Sequence, residues 1–148
     1  MTNLKPYEFR DPAALMSEIA EQVSLDEGCA HLVLVDHPAT TQRIVRIDRL
    51  GTPAEIFEYD AACEEMREVV DSWPVPDVRP PRHASVLVVV RPGWCVFGPN
   101  EMQWCLASRY LNPLASIYTG DVVLVTEHGW LDLMTHFAGP EPAMRSAA

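Results

Sequence analysis

Apolar residues recur along this chain with two different periods, and the switches between them divide it into elements. In DPAALMSEIAEQV, Leu15, Ile19 and Val23 return at every fourth position with Met16 beside them, while Glu18 and Glu21 take the other side. That spacing lines one face of a helix. Asp11 can cap its start, and Pro12, which has no N–H to lose, suits the first helical position. Next, AHLVLVD and QRIVRIDR flank the turn-rich HPATT and predict a hairpin ending at Gly51-Thr52-Pro53. A second helix is predicted from Asp60 to about Ser72, with Glu64 and Glu65 near its positive end. Cys63, Met66, Val69 and Val70 form its inward side, which Trp73 closes.

WPVPDVRPPR holds four prolines in ten residues. It is too constrained for a helix or a central strand and reads as a connector between two faces of the domain. ASVLVVV is apolar on both alternating faces, which places it mid-sheet with cover on both sides. After the Arg91-Pro92-Gly93 turn, WCVF (94–97) is expected to pair beside it. Gly98-Pro99-Asn100-Glu101 is a stop-and-cap signal for a helix whose stripe is Met102, Cys105, Leu106 and Ala107, ended by Asn112-Pro113. DVVLVTEHGWLDLM predicts two strands around a turn at His128-Gly129, where glycine supplies a positive φ. Residues 141–148 read as a loose tail. The order predicts one α/β domain over residues 1–140, with a mixed sheet of five to six strands and three flanking helices.

Composition narrows the partners. A chain of 148 residues can bury a core without disulfides or a structural metal. Eleven basic residues against 21 acidic ones, a formal charge of −10, argue against nucleic acid, whose binders cluster cationic charge. The longest apolar run, Ala84 to Val90, is far short of the roughly 20 residues a membrane helix needs, and MTNLKPYEF has no apolar signal core. A cytoplasmic protein with no membrane contact is expected. Cys29, Cys63, Cys95 and Cys105 are too widely spaced for paired zinc ligands and too few for a disulfide scaffold, so reduced, mostly buried thiols are expected.

The order of elements also resembles the JAB/MPN fold, and RadC-type members most. The likeness runs from the first helix through LVLVDHPATTQRIVRIDRLGT, a central strand, a Pro-Gly loop and a capped helix to the closing DVVLVTEHGW. In that family a strand ends in His-x-His-Pro, seven residues separate the second His from a Ser, and an Asp follows three further on. The two His and the Asp bind zinc, and a Glu elsewhere activates the metal-bound water. Laid on this chain, the pattern puts Val89 and Arg91 on the His positions, Pro99 on the Ser and Met102 on the Asp. One residue along, it meets Val90, Pro92, Asn100 and Gln103. Neither register supplies a zinc ligand, and the guanidinium of Arg91 has no lone pair to donate. The resemblance therefore implies a degenerate member with no metal.

What remains at that corner is a candidate anion site of Arg91, Asn100, Glu101 and His128, with a cation beside a helix N-terminus; a plain Arg91–Glu101 pair is the competing reading. Trp94, Trp104, Tyr110 and Trp130 would serve a pocket or an interface, or else the core. Cys95 would be a nucleophile only if His83 or His128 came within reach, whereas the alternation of Trp94 against Cys95 and Phe97 also fits a packed strand. His128 after Glu127 fits a general base or a solvated turn. His31, His37, Asp36 and His128 do not make a local metal site, since His31 and His37 would lie about 20 Å apart in a strand. No phosphate-binding glycine motif, nucleophile elbow or His-Glu-x-x-His helix occurs. The expectation is a non-catalytic binding or regulatory domain without cofactor, working with a protein partner or by self-association. The alternative is a hydrolase-like enzyme using Cys95 and His128 or an unrecognised metal site.

Overall fold

The structure is a computed structural model that describes residues 4–56, 58–109, 111 and 116–145. In chain order the elements are α1 (Pro12–Gln22), β1 (Ala30–Asp36), β2 (Arg43–Arg49), α2 (Tyr59–Asp71), β3 (His83–Val90), α3 (Pro99–Arg109), β4 (Ile117–Thr126), β5 (Gly129–Asp132) and β6 (Ala138–Gly139). The strands make one sheet ordered β2-β1-β3-β4-β5-β6. β3 and β4 run parallel, because α3 carries the chain back between them, and every other neighbouring pair is antiparallel. This is the predicted α/β class, with three helices and a mixed sheet.

Alternation along the strands divides the core in two. Leu32, Leu34, Leu87, Val89 and Val122 face Met66 and Val70 of α2 and Trp104 and Cys105 of α3. Val33, Val35, Val86, Val88, Val123 and Val125 face Leu15, Met16 and Ile19 of α1. β1 and β3 are buried along their whole length, as strands covered on both faces must be. Burying each large side chain of α1 contributes about 1.5–3 kcal/mol. Asp11 caps that helix by accepting from the Ala14 N–H at 3.1 Å. Gln42 clamps the same turn, accepting from the Asp11 N–H and donating to its carbonyl.

Three expectations are corrected. Residues 94–97 form no strand: β4 takes the edge of β3, and the loop carbonyls of Pro92, Trp94 and Val96 accept from Arg91 instead of a ladder. The inward stripe of α3 is Glu101, Trp104, Cys105, Ala107 and Ser108, whereas Met102 and Leu106 are exposed. Residues 141–145 are docked: the Met144 N–H donates to the Thr126 carbonyl, and the Arg145 N–H to that of Leu25. The Asn112-Pro113 stop lies outside the described residues.

One feature of β4 decides what the sheet can present. Between the pairs Ala84–Tyr118 and Val86–Asp121, β4 holds one residue more than β3. This bulge includes Gly120 at φ +110°, a conformation that a side chain resists. By resetting the alternation, it puts Tyr118 and Asp121 on the same face, the one covered by α1.

Candidate functional site

The corner after β3 is closed upon itself. Glu101 is fully buried, and Arg91 grips it in a fork, Nε to Oε2 at 2.9 Å and Nη2 to Oε1 at 2.7 Å. The remaining guanidinium protons go to the carbonyls of Pro92, Trp94 and Val96. All five donors of Arg91 are thus engaged within the chain, and none is left for an external anion. Burial by itself would raise the pKa of Glu101, but hydrogen bonds from Arg91, the Gly98 N–H and Asn100 outweigh it and hold the carboxyl below its usual range. Asn100 accepts from the Ile56 N–H at 2.8 Å and donates to the Ala54 carbonyl at 2.6 Å, tying the helix start to the loop before α2.

The other residues singled out from the sequence disperse. His128 does not join the pair: it stacks on Trp94, with ring centroids 5.2 Å apart, and its Nε2 lies 3.5 Å from Glu127. Trp94 is 77 % exposed, whereas Trp104 and Trp130 are core residues whose indole N–H groups donate to the carbonyls of Ala54 and Glu141. These tryptophans do not line one pocket. Tyr110 lies outside the described residues. Cys95 is half-buried, and its Sγ is 3.9 Å from the Leu124 carbonyl. Burial pushes this thiol up, against the weaker pull of Thr126 and Arg91, so the thiolate a nucleophile needs is suppressed. At the JAB-type positions, Val89 is buried in the core and Met102 is exposed. Among the described residues, no three His, Cys, Asp or Glu side chains form a group that could hold a metal ion.

A second polar cluster joins the ends of β1 and β3. Asp36 is buried and accepts two bonds of 3.0 Å from Arg82 and one of 3.1 Å from Arg43. His83 and His37 lie 3.5 and 3.7 Å away. The Arg82 bonds, opposed by burial and helped by Arg43 and His83, hold this carboxyl far below the usual range. Its carboxylate is satisfied, whereas the buried Nδ1 of His83 makes no hydrogen bond.

A cavity lies at the end of the sheet where β3 begins, and its lining residues Ala84 and Ser85 follow directly on His83. It has a volume of about 630 Å³ and sits beneath the N-terminal segment, over the first residues of β3 and β4 and beside the loop after β5. Tyr7 and Phe9 come from the N-terminal segment, Tyr118 from β4, and Met134 and Phe137 from the loop. Tyr7 and Tyr118 meet at a tilt, with centroids 5.8 Å apart and planes at 59°. The wall is mostly apolar, with Ala84, Ser85, Thr119 and Thr135 between the larger groups.

One polar group in this wall has a special position. Asp121 is only 8 % exposed, and its Oδ1 has no hydrogen-bond partner. Beside it stands Asp132, which is 2 % exposed and accepts from the Met134 N–H at 3.0 Å. Asp132 pairs across from Val123, so the two acids are diagonal neighbours on one face. Burial, and then Asp132, raise the pKa of Asp121 well above the usual range.

These acids and the cavity were missed from the sequence. The hairpin was read correctly, and its alternation of Asp121, Val123 and Val125 against Trp130 and Asp132 placed two aspartates at inward positions. That signal was available. The approach of the N-terminal segment and the bulge carried none. Comparison of the chain with models of known families, with curated proteins and with solved structures gives no match.

Proposed function

We propose that this protein is a non-catalytic binding domain that takes up a small, largely apolar molecule in the cavity between its N-terminal segment and the sheet. The observation that carries this reading is the cavity itself: about 630 Å³, aromatic and aliphatic in its wall, with the mostly buried acid Asp121 in its lining. Pockets of some 300–1,000 Å³ with apolar walls and a few convergent polar atoms are the usual form of small-molecule sites. The hydrolase-like alternative gains no support, because Cys95 is a suppressed thiol and His128 is stacked on Trp94. The scaffold is read as a JAB/MPN-like sheet in which the Arg91–Glu101 pair occupies the corner where that family holds zinc. Stoichiometric zinc in the purified protein, measured by elemental analysis, would count against both statements.

Titration with the neutral fluorophore N-phenyl-1-naphthylamine tests the binding reading. Wild-type protein is expected to give saturable, single-site enhancement, and Ala84→Phe, which places a ring in the cavity floor, is expected to abolish it with an unchanged circular-dichroism spectrum. Should Ala84→Phe not fold, Thr119→Trp blocks the same space from the half-buried bulge. Absence of saturable binding, or equal binding by a folded blocked variant, refutes the proposal.

A further inference from the structure

We infer that residues 4–8 form a lid on the cavity: the segment swings about Phe9 and Arg10 to admit the ligand, and Tyr7 latches it shut against Tyr118. This deepens the binding reading and rests on it.

The need for an opening comes from the floor. Ala84 and Ser85 are only 2 % and 3 % exposed, and Asp121 in the same lining is nearly as buried. A ligand that touches them must first displace part of the cover. Two segments supply that cover: the N-terminal one with Leu4, Tyr7, Glu8 and Phe9, and the loop after β5 with Met134, Thr135 and Phe137. They are attached in different ways.

The loop is pinned along its length. The Leu133 N–H donates to the Val122 carbonyl at 2.9 Å, the His136 N–H to that of Asp132 at 2.9 Å, and the Asp132 N–H to that of Phe137 at 2.8 Å. The Asp132 carboxylate accepts from the Met134 N–H and the Thr135 hydroxyl from the Phe137 N–H. Leu131 and Ala138 close the ends by pairing across β5 and β6. The loop cannot lift without breaking several of these bonds together.

Residues 4–8 have no such ties. Their backbone bond, from the Glu8 N–H to the Lys5 carbonyl at 3.0 Å, is internal and folds the segment into a turn. Among the described residues, none of them hydrogen-bonds or ion-pairs with the rest of the chain. Leu4 and Tyr7 are exposed, and the contact that holds the segment down is the ring of Tyr7 tilted on that of Tyr118. Firm attachment begins immediately afterwards. Phe9 is buried in the core cluster that α1 builds, the Arg10 N–H donates to the Pro38 carbonyl at 2.8 Å, and Gln42 clamps Asp11. A weakly held segment that meets a well-bonded anchor at one point is the arrangement a lid requires.

The test is stopped-flow binding of N-phenyl-1-naphthylamine to the full chain. Tyr7→Ala removes the latch. It is expected to raise the association rate constant about tenfold, the scale of one aromatic pair with its buried area, with an unchanged circular-dichroism spectrum. Pro6 is exposed and does not line the cavity, so Pro6→Gly leaves every lining side chain in place while freeing the backbone of the segment. It is expected to speed association about threefold. A fixed wall whose mouth Tyr7→Ala merely widens would not respond to Pro6→Gly. The inference fails if either variant associates at the wild-type rate, or if Tyr7→Ala speeds dissociation alone. In that event, saturable binding that Ala84→Phe blocks leaves the cavity reading standing, whereas absence of saturable binding by wild-type protein removes both. Should Tyr7→Ala not fold, Pro6→Gly decides the matter.

Discussion

The start of α3 and the middle of β4 each carry a buried carboxylate, and the two have contrary surroundings. Beyond the last residue of β3, Glu101 is enclosed by a guanidinium fork, a backbone N–H and an amide, so that its charge is balanced and every nearby donor is engaged. In β4, Asp121 faces a second acid and keeps its buried Oδ1 without a partner, and among the described residues no lysine, arginine or histidine lines the cavity beside it. Buried ionic groups that satisfy one another hold an architecture together. Those left incomplete beside a cavity are where a ligand can gain free energy. The corner that looks functional from its residue types is thus a structural lock, and the cavity lies beyond it, over the first residues of β3 and β4.

Three changes probe that contrast. Removing the Glu101 carboxylate should have the largest effect: Glu101→Ala leaves Arg91 as a largely buried, unpaired cation and is expected to cost about 3–5 kcal/mol, read from urea denaturation. A loss under about 1 kcal/mol would mean that the corner is no lock. The opposite sign is expected at the other end. The folded pKa of Asp121 lies above its unfolded value, so the stability linked to its proton is complete only below the ordinary carboxylate pKa of about 3.9 and is lost as pH rises through the raised value. Asp121→Asn, which keeps a hydrogen bond to Asp132 without the shared charge, should therefore stabilise the protein by about 1–2 kcal/mol at pH 8, with the gain fading toward pH 4. Melting curves across that range check it, and a gain that grows toward acid would contradict the raised pKa of Asp121. The smallest effect belongs to Trp94→Ala, whose exposed ring should cost about 0.5 kcal/mol or less in thermal melts. A larger cost would show that its stacking on His128 braces the Arg91 loop.

The elements were legible because each is a local pattern. α1 follows from its fourth-residue repeat and the Asp11 cap, β3 from an apolar run, and the closing hairpin from the glycine at 129. The strand expected at 94–97 failed because alternation cannot show that an arginine ten residues before its partner acid will draw in the carbonyls of the loop. The candidate site divided similarly. Arg91, Asn100 and Glu101 are neighbours along the chain, and their convergence could be anticipated. The cavity needed residues from the N-terminus, β3, β4 and the loop after β5, whose approach has no local signature.

By itself, then, the sequence determined the α/β class, the central place of β3, the three helices and the lack of metal-ligand spacing, since all of these depend on periodicity and residue type within short windows. The tertiary structure decided what the polar groups do. Whether a buried acid is neutralised, as Glu101 is, or left facing a cavity, as Asp121 is, depends on which distant side chains the sheet brings within about 3 Å, the range in which hydrogen bonds form. Only the folded chain sets those distances, and here a bulge at Gly120 turned Tyr118 and Asp121 to one face of the sheet.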